Sequence, residues 1–325
     1  MSDGTGSRDS HAPHLLIHRS PERASSSVSS SRSCFVDQFD FSGLWVPLVT
    51  PFRGNRIDEM ALRLLVRHLQ EAGVTGFVVC GSTGEAASLS HAEQLSVLDT
   101  VLAACGDKPV MMGLAGTQSG EMVERLREIA KRRVAGVLIS APHYLRPSQA
   151  GIVAHFQALA DASPVPVVLY DVPTRTGVAM HTTTLLTLAA HPNIRAIKDA
   201  GGDAEKTRTL IADGRLAVLA GNDDCIFTTL CMGGAGAIAA SAHLLPERFV
   251  AMVAALRAGR LAEARSLYHA LTPLTLALFA EPNPSVFKAL LARQGALLNE
   301  LRAPHSPATN EAVQRAMMAL QALKD

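Results

Sequence analysis

Residues 165–170 read VPVVLY and run into DVPTRTG (171–177), and residues 194–199 read IRAIKD. Each opens as a short apolar, β-branched run with no polar face, and each ends in side chains that carry chemistry: a tyrosine and an arginine in the first, a lysine in the second. Apolarity on both faces is the mark of a strand covered on both sides, as in a parallel sheet flanked by helices. The same kind of run recurs on either side, at LWVPLVT (44–50), FVVCG (77–81), PVMMG (109–113), GVLIS (136–140), LAVLAG (216–221) and AGAIAAS (235–241). Eight strands are therefore predicted.

Segments of helical period separate them. Between Asp58 and Ala72, the side chains of Leu62, Leu65, Val66 and Leu69 share one face. Ser90 and Glu93 have the spacing of a capping box. Units of strand and helix repeating every ~20 to 33 residues predict an α/β fold of the (β/α)8 barrel type, which takes ~250 residues. A doubly wound open sheet would place a glycine-rich phosphate loop after its first strand, whereas Thr50 is followed by PFRG. The barrel is expected over 40–260, with a C-terminal helical appendage over 261–325, a frequent place for subunit contacts. Its helices are expected at 261–279, 284–298 and 309–323, the second capped by Asn283 with Pro284 in its first turn. Residues 1–39 are Ser- and Arg-rich with no apolar face, so disorder is expected there; Asp3, Asp9 and Glu22 argue against a transit peptide.

Composition removes several classes of function. Thirty Lys and Arg against 29 Asp and Glu leave a net charge of +1, without the basic surplus a nucleic-acid partner requires. No apolar run approaches the ~18 residues of a membrane span, and the N-terminus lacks a secretory signal, so a cytoplasmic protein is expected. Cys34, Cys80, Cys105, Cys225 and Cys231 form no CxxC pair and are odd in number, which suits free thiols. The 12 histidines contain no HExxH, which disfavours a metal site.

In such a barrel the chemistry lies at the C-terminal ends of the strands. Gly81-Ser82-Thr83-Gly84-Glu85 offers two hydroxyls and turn N–H groups to a carboxylate, or is an ordinary turn. Tyr170 is placed to move protons and Arg175 to grip a carboxylate with both arms of its fork; the plainer reading is a tyrosine bridging core and solvent beside a solvated arginine. Lys198 follows the apolar Ala196-Ile197. A partly desolvated amine loses proton affinity and attacks carbonyls to form a Schiff base, although a lysine so placed could also reach water or pair with Asp199. Amine, phenol, hydroxyls and guanidinium at the ends of different strands make up the parts of a Schiff-base lyase. Gly233-Gly234-Ala235-Gly236 lies before the eighth strand, on the wrong face, and is read as close packing. Cys80 is also read as packing.

These residues resemble the dihydrodipicolinate synthase/N-acetylneuraminate lyase family of pyruvate-dependent class I aldolases, from about residue 42 to the C-terminus. The resemblance rests on GSTGE (81–85), PHYLRPSQ (142–149), YDVPTRTG (170–177), IKD (197–199), AGND (220–223) and EPNP (281–284). It implies that Lys198 forms a Schiff base with pyruvate, with no metal or organic cofactor, and that Tyr170, Ser82 and Tyr144 form a proton relay. Tyr144 would be lent by a neighbouring subunit, in a homotetramer built from dimers. Thr83 would hold the pyruvate carboxylate, Gly221 and Ile238 would line the pocket, and Arg175 would anchor the carboxylate of L-aspartate 4-semialdehyde. The partners implied are small molecules, with neither nucleic acid nor membrane. A keto-sugar acid lyase of the same family is the alternative, and a non-catalytic keto-acid-binding homologue a further one. Ser82 stands where the synthase branch has threonine, and Asp171 where it has asparagine. At the inhibitory lysine site His91 and Glu121 are retained while His143 and Thr117 differ, so weak or absent inhibition by lysine is expected.

Overall fold

The computed structural model describes residues 39–323. Except for Phe39, the segment expected to be disordered lies outside the described residues. Eight parallel strands close into a barrel: β1 Gly43–Pro47, β2 Gly76–Val79, β3 Val110–Leu114, β4 Gly136–Ser140, β5 Val167–Asp171, β6 Ile194–Asp199, β7 Ala217–Ala220 and β8 Gly236–Ile238. Every predicted run yields one strand, and β1 closes the barrel by pairing with β8 (Trp45 opposite Ile238) and with β2 (Trp45 opposite Gly76).

The two-residue period of a strand sends alternate side chains inward and outward. Trp45, Val78, Met111, Leu138, Val168, Ala196, Leu219 and Ile238, one from each strand, fill the interior, which is how a small barrel is packed solid. The Trp45 indole N–H donates to the carbonyl of Phe41 at 2.9 Å. Its ring needs space as well: a Cβ on Gly76 would lie 2.5 Å from it. The outward set, including Val46, Val79, Ile139, Leu169 and Ile197, joins the buried faces of the surrounding helices. Both faces of each strand are thus buried, which is why the runs show no polar alternation.

The barrel helices are α1 Glu59–Glu71, α2 His91–Ala104, α3 Ser119–Ile129, α4 Gln149–Ala162, α5 Thr182–Leu188, α6 Ala204–Asp213, α7 Ile226–Cys231 and α8 Pro246–Arg257. Asp58 caps α1 by accepting the N–H of Ala61, and Leu62, Leu65, Val66 and Leu69 are its buried stripe, as predicted. Both halves of the Ser90/Glu93 capping box form at α2. The apolar run at 44–50 ends as strand at Pro47, and a short hairpin pairing Phe52 with Ile57 follows it. Its tip, Gly54-Asn55, has positive φ at both residues (58° and 62°), the backbone that a two-residue hairpin turn requires.

Three helices complete the chain: α9 Leu261–Leu278, α10 Ser285–Arg293 and α11 Asn310–Gln321. Here two expectations are corrected. Helix α10 ends at Arg293, not at 298, because Gly295 takes φ 77° and the N–H groups of Gly295 and Ala296 fold back to Ala292 and Leu291, a Schellman stop. Asn283 does not cap α10 either: Pro284 occupies the cap position, and the Asn283 amide donates to Thr83 Oγ1 at 3.0 Å. Leu271, Leu274, Val286 and Phe287 belong to the same buried cluster as the outer barrel face. Among the described residues, no helix is long and apolar enough to cross a membrane.

Candidate active site

A cavity of ≈ 450 Å³ opens at the C-terminal ends of the strands. Seven of the eight residues predicted to act there line it: Ser82, Thr83, Tyr170, Arg175, Lys198, Gly221 and Ile238. The register explains how two of them meet. Tyr170 on β5 pairs directly with Lys198 on β6, and each lies two residues beyond an inward-facing side chain, Val168 and Ala196. Both therefore point up into the cavity, with Lys198 Nζ 4.4 Å from the centroid of the Tyr170 ring. Lys198 is buried, with 7% of its surface exposed.

The turn after β2 is held from below and from the side. Its own backbone closes through Gly84 N–H to Gly81 O and Glu85 N–H to Ser82 O, both 3.1 Å, while Thr50 Oγ1 donates to Gly84 O at 2.7 Å. Glu85 sits at φ 53°, and its carboxylate accepts Lys288 Nζ at 2.5 Å and the Arg302 N–H at 2.9 Å. The two charged side chains of this pair are wholly buried. With Asn283 on Thr83, the C-terminal helical region fixes the turn at two points, and residues from Phe279 to Asn283 form one wall of the cavity.

Arg175 projects from a single helical turn, Pro173–Thr176, closed by Gly177 at φ 75°. Gly221 follows β7 and donates its N–H to Asp199 O at 2.8 Å; a Cβ there would lie 2.8 Å from the same carbonyl, so no larger residue fits. Asp223, two residues on, is buried, lines the cavity and accepts the Ser241 N–H at 2.5 Å. Burial pushes its carboxyl pKa up, against the opposing pull of that N–H and of the Lys198 charge.

Tyr144 stands apart. It is 87% exposed, held at φ 68°, and does not line the cavity of its own chain. A second cavity of ≈ 220 Å³ shares Ser82, Tyr170 and Arg175 with the first and runs out past Cys80 to His143 and His305. Burial raises the pKa of the Cys80 thiol to about 12, in keeping with a packing role. The glycines at the start of β8 also behave as read: a Cβ on Gly236 would lie 2.0 Å from Gly43 O, and one on Gly234 2.6 Å from the Thr229 side chain.

Sequence reasoning assigned no role to Asp223, Glu85 or Lys288, and to Asn283 only that of a helix cap. Three of them lay inside motifs already noted, GSTGE, AGND and EPNP, but only their partners reveal what they do. Among the described residues no group of three or more His, Cys, Asp or Glu could hold a metal ion.

The family model described as the dihydrodipicolinate synthetase family matches residues 40–323. A 4-hydroxy-tetrahydrodipicolinate synthase of Haloarcula marismortui is 38% identical over 276 residues, covering 84% of this chain and 90% of that one. The structure of the 4-hydroxy-tetrahydrodipicolinate synthase of Methylacidiphilum fumariolicum SolV superposes with a TM-score of 0.85 at 31% identity, covering 87% of this chain and 96% of that one. The chloride-inhibited dihydrodipicolinate synthase of Acinetobacter baumannii, complexed with pyruvate, gives a TM-score of 0.85 at 30% identity, with 87% and 99% covered.

Proposed function

The chain belongs to the dihydrodipicolinate synthetase family and is an enzyme of it, and on that premise we propose that it condenses pyruvate with L-aspartate 4-semialdehyde. The product is 4-hydroxy-tetrahydrodipicolinate, a step toward diaminopimelate and lysine. The observation that carries this reading is the pairing of Tyr170 with Lys198 over a cavity that Ser82, Thr83 and Arg175 also line.

Lys198 Nζ, as the free amine, adds to the ketone carbon of pyruvate, and loss of water leaves a C=N bond. Thr83 and the neighbouring turn hold the pyruvate carboxylate. Loss of a methyl proton converts the imine to an enamine, and the Tyr170 hydroxyl carries the protons of these steps, with Ser82 and Tyr144 as its relay. The enamine carbon then forms a C–C bond to the aldehyde carbon of the second substrate, whose oxygen takes up a proton. Arg175 holds that substrate by its carboxylate. Its amino group adds to the C=N carbon, closes the ring and releases the Lys198 amine. One water leaves in all, and no metal or organic cofactor takes part.

Tyr144, exposed and outside the lining of the cavity of its own chain, serves the site of a neighbouring protomer in this reading, within a homotetramer built from dimers. The partners are small molecules, without nucleic acid or membrane, and the compartment is the cytoplasm.

Borohydride treatment in the presence of pyruvate tests the central step, because it reduces the imine to a stable amine. A permanent mass adduct on Lys198 is the expected result, and an unmodified intact mass from folded protein would end the proposal. A coupled assay with L-aspartate 4-semialdehyde, run beside N-acetylneuraminate and keto-deoxy sugar acids, tests the second substrate.

A further inference from the structure

The two strands that present Tyr170 and Lys198 inward present a different pair outward. Asp171 and Asp199 follow them directly and are also register partners, so two carboxylates sit side by side behind the reacting groups. The first of them is met by Lys206, from the first turn of α6, the helix that follows β6. Its Nζ donates to Asp171 Oδ2 at 2.5 Å, with both side chains 5% exposed or less. Gly201 leaves room for the arrangement: a Cβ there would lie 2.4 Å from Lys206 Nζ, 2.8 Å from Asp171 Oδ2 and 3.2 Å from Asp199 Oδ1.

Each of the other three carboxylate oxygens accepts one hydrogen bond from the surrounding chain. Asp171 Oδ1 accepts the Met180 N–H at 3.1 Å, closing the loop that carries Arg175. Asp199 Oδ1 accepts the Gly201 N–H at 3.0 Å, and its Oδ2 accepts the Thr207 hydroxyl at 2.5 Å. Asp171 thus joins the strand end of Tyr170, the loop of Arg175 and, through Lys206, the helix behind Lys198. Two adjacent carboxylates without a cation would repel and push the strand ends apart.

We propose that Lys206 is a positioning residue: its ion pair with Asp171 sets the spacing between Tyr170 and Lys198 and the reach of Arg175. It touches no substrate. The inference rests on the reading of Lys198 as the Schiff-base amine, and its test keeps the two apart. A misplacement of about 1 Å costs a reaction roughly 100-fold, so a loosened clamp has a kinetic signature distinct from lost stability.

The test compares the full-length wild type with Lys206→Met, Asp171→Asn and the double variant Asp171→Asn/Lys206→Met. The melting temperature, the rate of borohydride-trapped pyruvate adduct on Lys198 and the KM for L-aspartate 4-semialdehyde are measured for each. Each single variant leaves one charge buried and unpaired and is expected to melt lower. The double removes both charges of the pair and leaves Asp199 its own donors, the Gly201 N–H and the Thr207 hydroxyl, and the amide oxygen that replaces the carboxylate at position 171 still accepts the Met180 N–H, so its melting temperature is expected to recover. Its adduct rate is expected to stay down by roughly tenfold or more, with a raised KM for the aldehyde. Recovery of the adduct rate along with the melting temperature would overturn the proposal by reducing the pair to a fold-stabilising one. Failure of the double to fold would overturn it for the same reason. Absence of an adduct in the wild type would instead remove the reading of Lys198, and the role of the clamp with it.

Discussion

Replacing Lys288 by methionine puts the joint between the C-terminal helices and the turn of Ser82 and Thr83 under direct test. Lys288 Nζ donates to Glu85 Oε1 at 2.5 Å and to the Glu300 carbonyl at 2.7 Å, and it lies 4.1 Å from the centroid of the Phe52 ring. Both charged side chains are 0% exposed. Methionine fills the space of the alkyl stem but leaves the Glu85 carboxylate with a single backbone donor, the N–H of Arg302. Breaking a buried pair from one side costs about 3–5 kcal/mol. At roughly 2–4 °C per kcal/mol for domains of this order of size, the melting temperature should fall by about 6–20 °C. The assay is thermal unfolding by circular dichroism, with the urea midpoint as a check. Because Glu85 anchors the turn that holds the pyruvate carboxylate in the proposed reaction, the KM for pyruvate should rise as well. Glu85→Gln combined with Lys288→Met removes the buried charge and should recover a large part of the lost stability. A single variant that melts within about 3 °C of the wild type would refute the reasoning, because it would mean the carboxylate finds water or another donor where the structure leaves it none.

Arg175→Ala should lower kcat/KM for the semialdehyde by roughly 30- to 700-fold, the loss of about 2–4 kcal/mol of a charge-assisted contact; the trapped pyruvate adduct on Lys198 should form as before, and its loss would contradict the role. His243 is buried with Nδ1–H toward Ala240 O at 2.8 Å and Nε2 accepting the Val49 N–H at 3.2 Å, and burial lowers its pKa to about 4. Below the unfolded value near 6.5 the unfolded chain therefore binds a proton that the native chain refuses, so stability is full above about pH 6.5. It falls by about 3 kcal/mol as the pH drops to 4 and levels off below that. The gap in urea midpoint between the wild type and His243→Gln should shrink over that window, and a gap independent of pH would rule the idea out. Where the family resemblance implies an inhibitory lysine site, His91 Nε2 is already engaged by Glu128 at 2.6 Å; millimolar lysine should leave most of the activity in place, and half-inhibition at micromolar lysine would count against this.

The local period of the chain carries much of the architecture. Eight short, predominantly apolar runs announce strands buried on both faces, and the barrel rule then assigns function to the polar residues that end them. Ser82, Thr83, Tyr170, Arg175, Lys198 and Gly221 were legible in this way or through the motifs that contain them, Ile238 only through the family resemblance, and all seven line one cavity. Such inferences hold because they depend on neighbours two to four residues away, which is the range over which strand and helix geometry repeats.

Partners far apart in the chain follow from no such period. Asn283 reads as a helix cap from its position before a proline, yet its amide is taken by Thr83, 200 residues away. Glu85 and Lys288 are 203 residues apart and would each pass for a surface charge until the C-terminal helices fold back over the barrel mouth. Asp171 and Lys206 lie on successive βα units and meet only because β5 and β6 pair in one particular register. Sequence alone settled which side chains stand at the strand ends, because alternation is a property of the strand itself. Tertiary structure alone decided which charges are buried together behind them, because that depends on register and on the path of the returning chain.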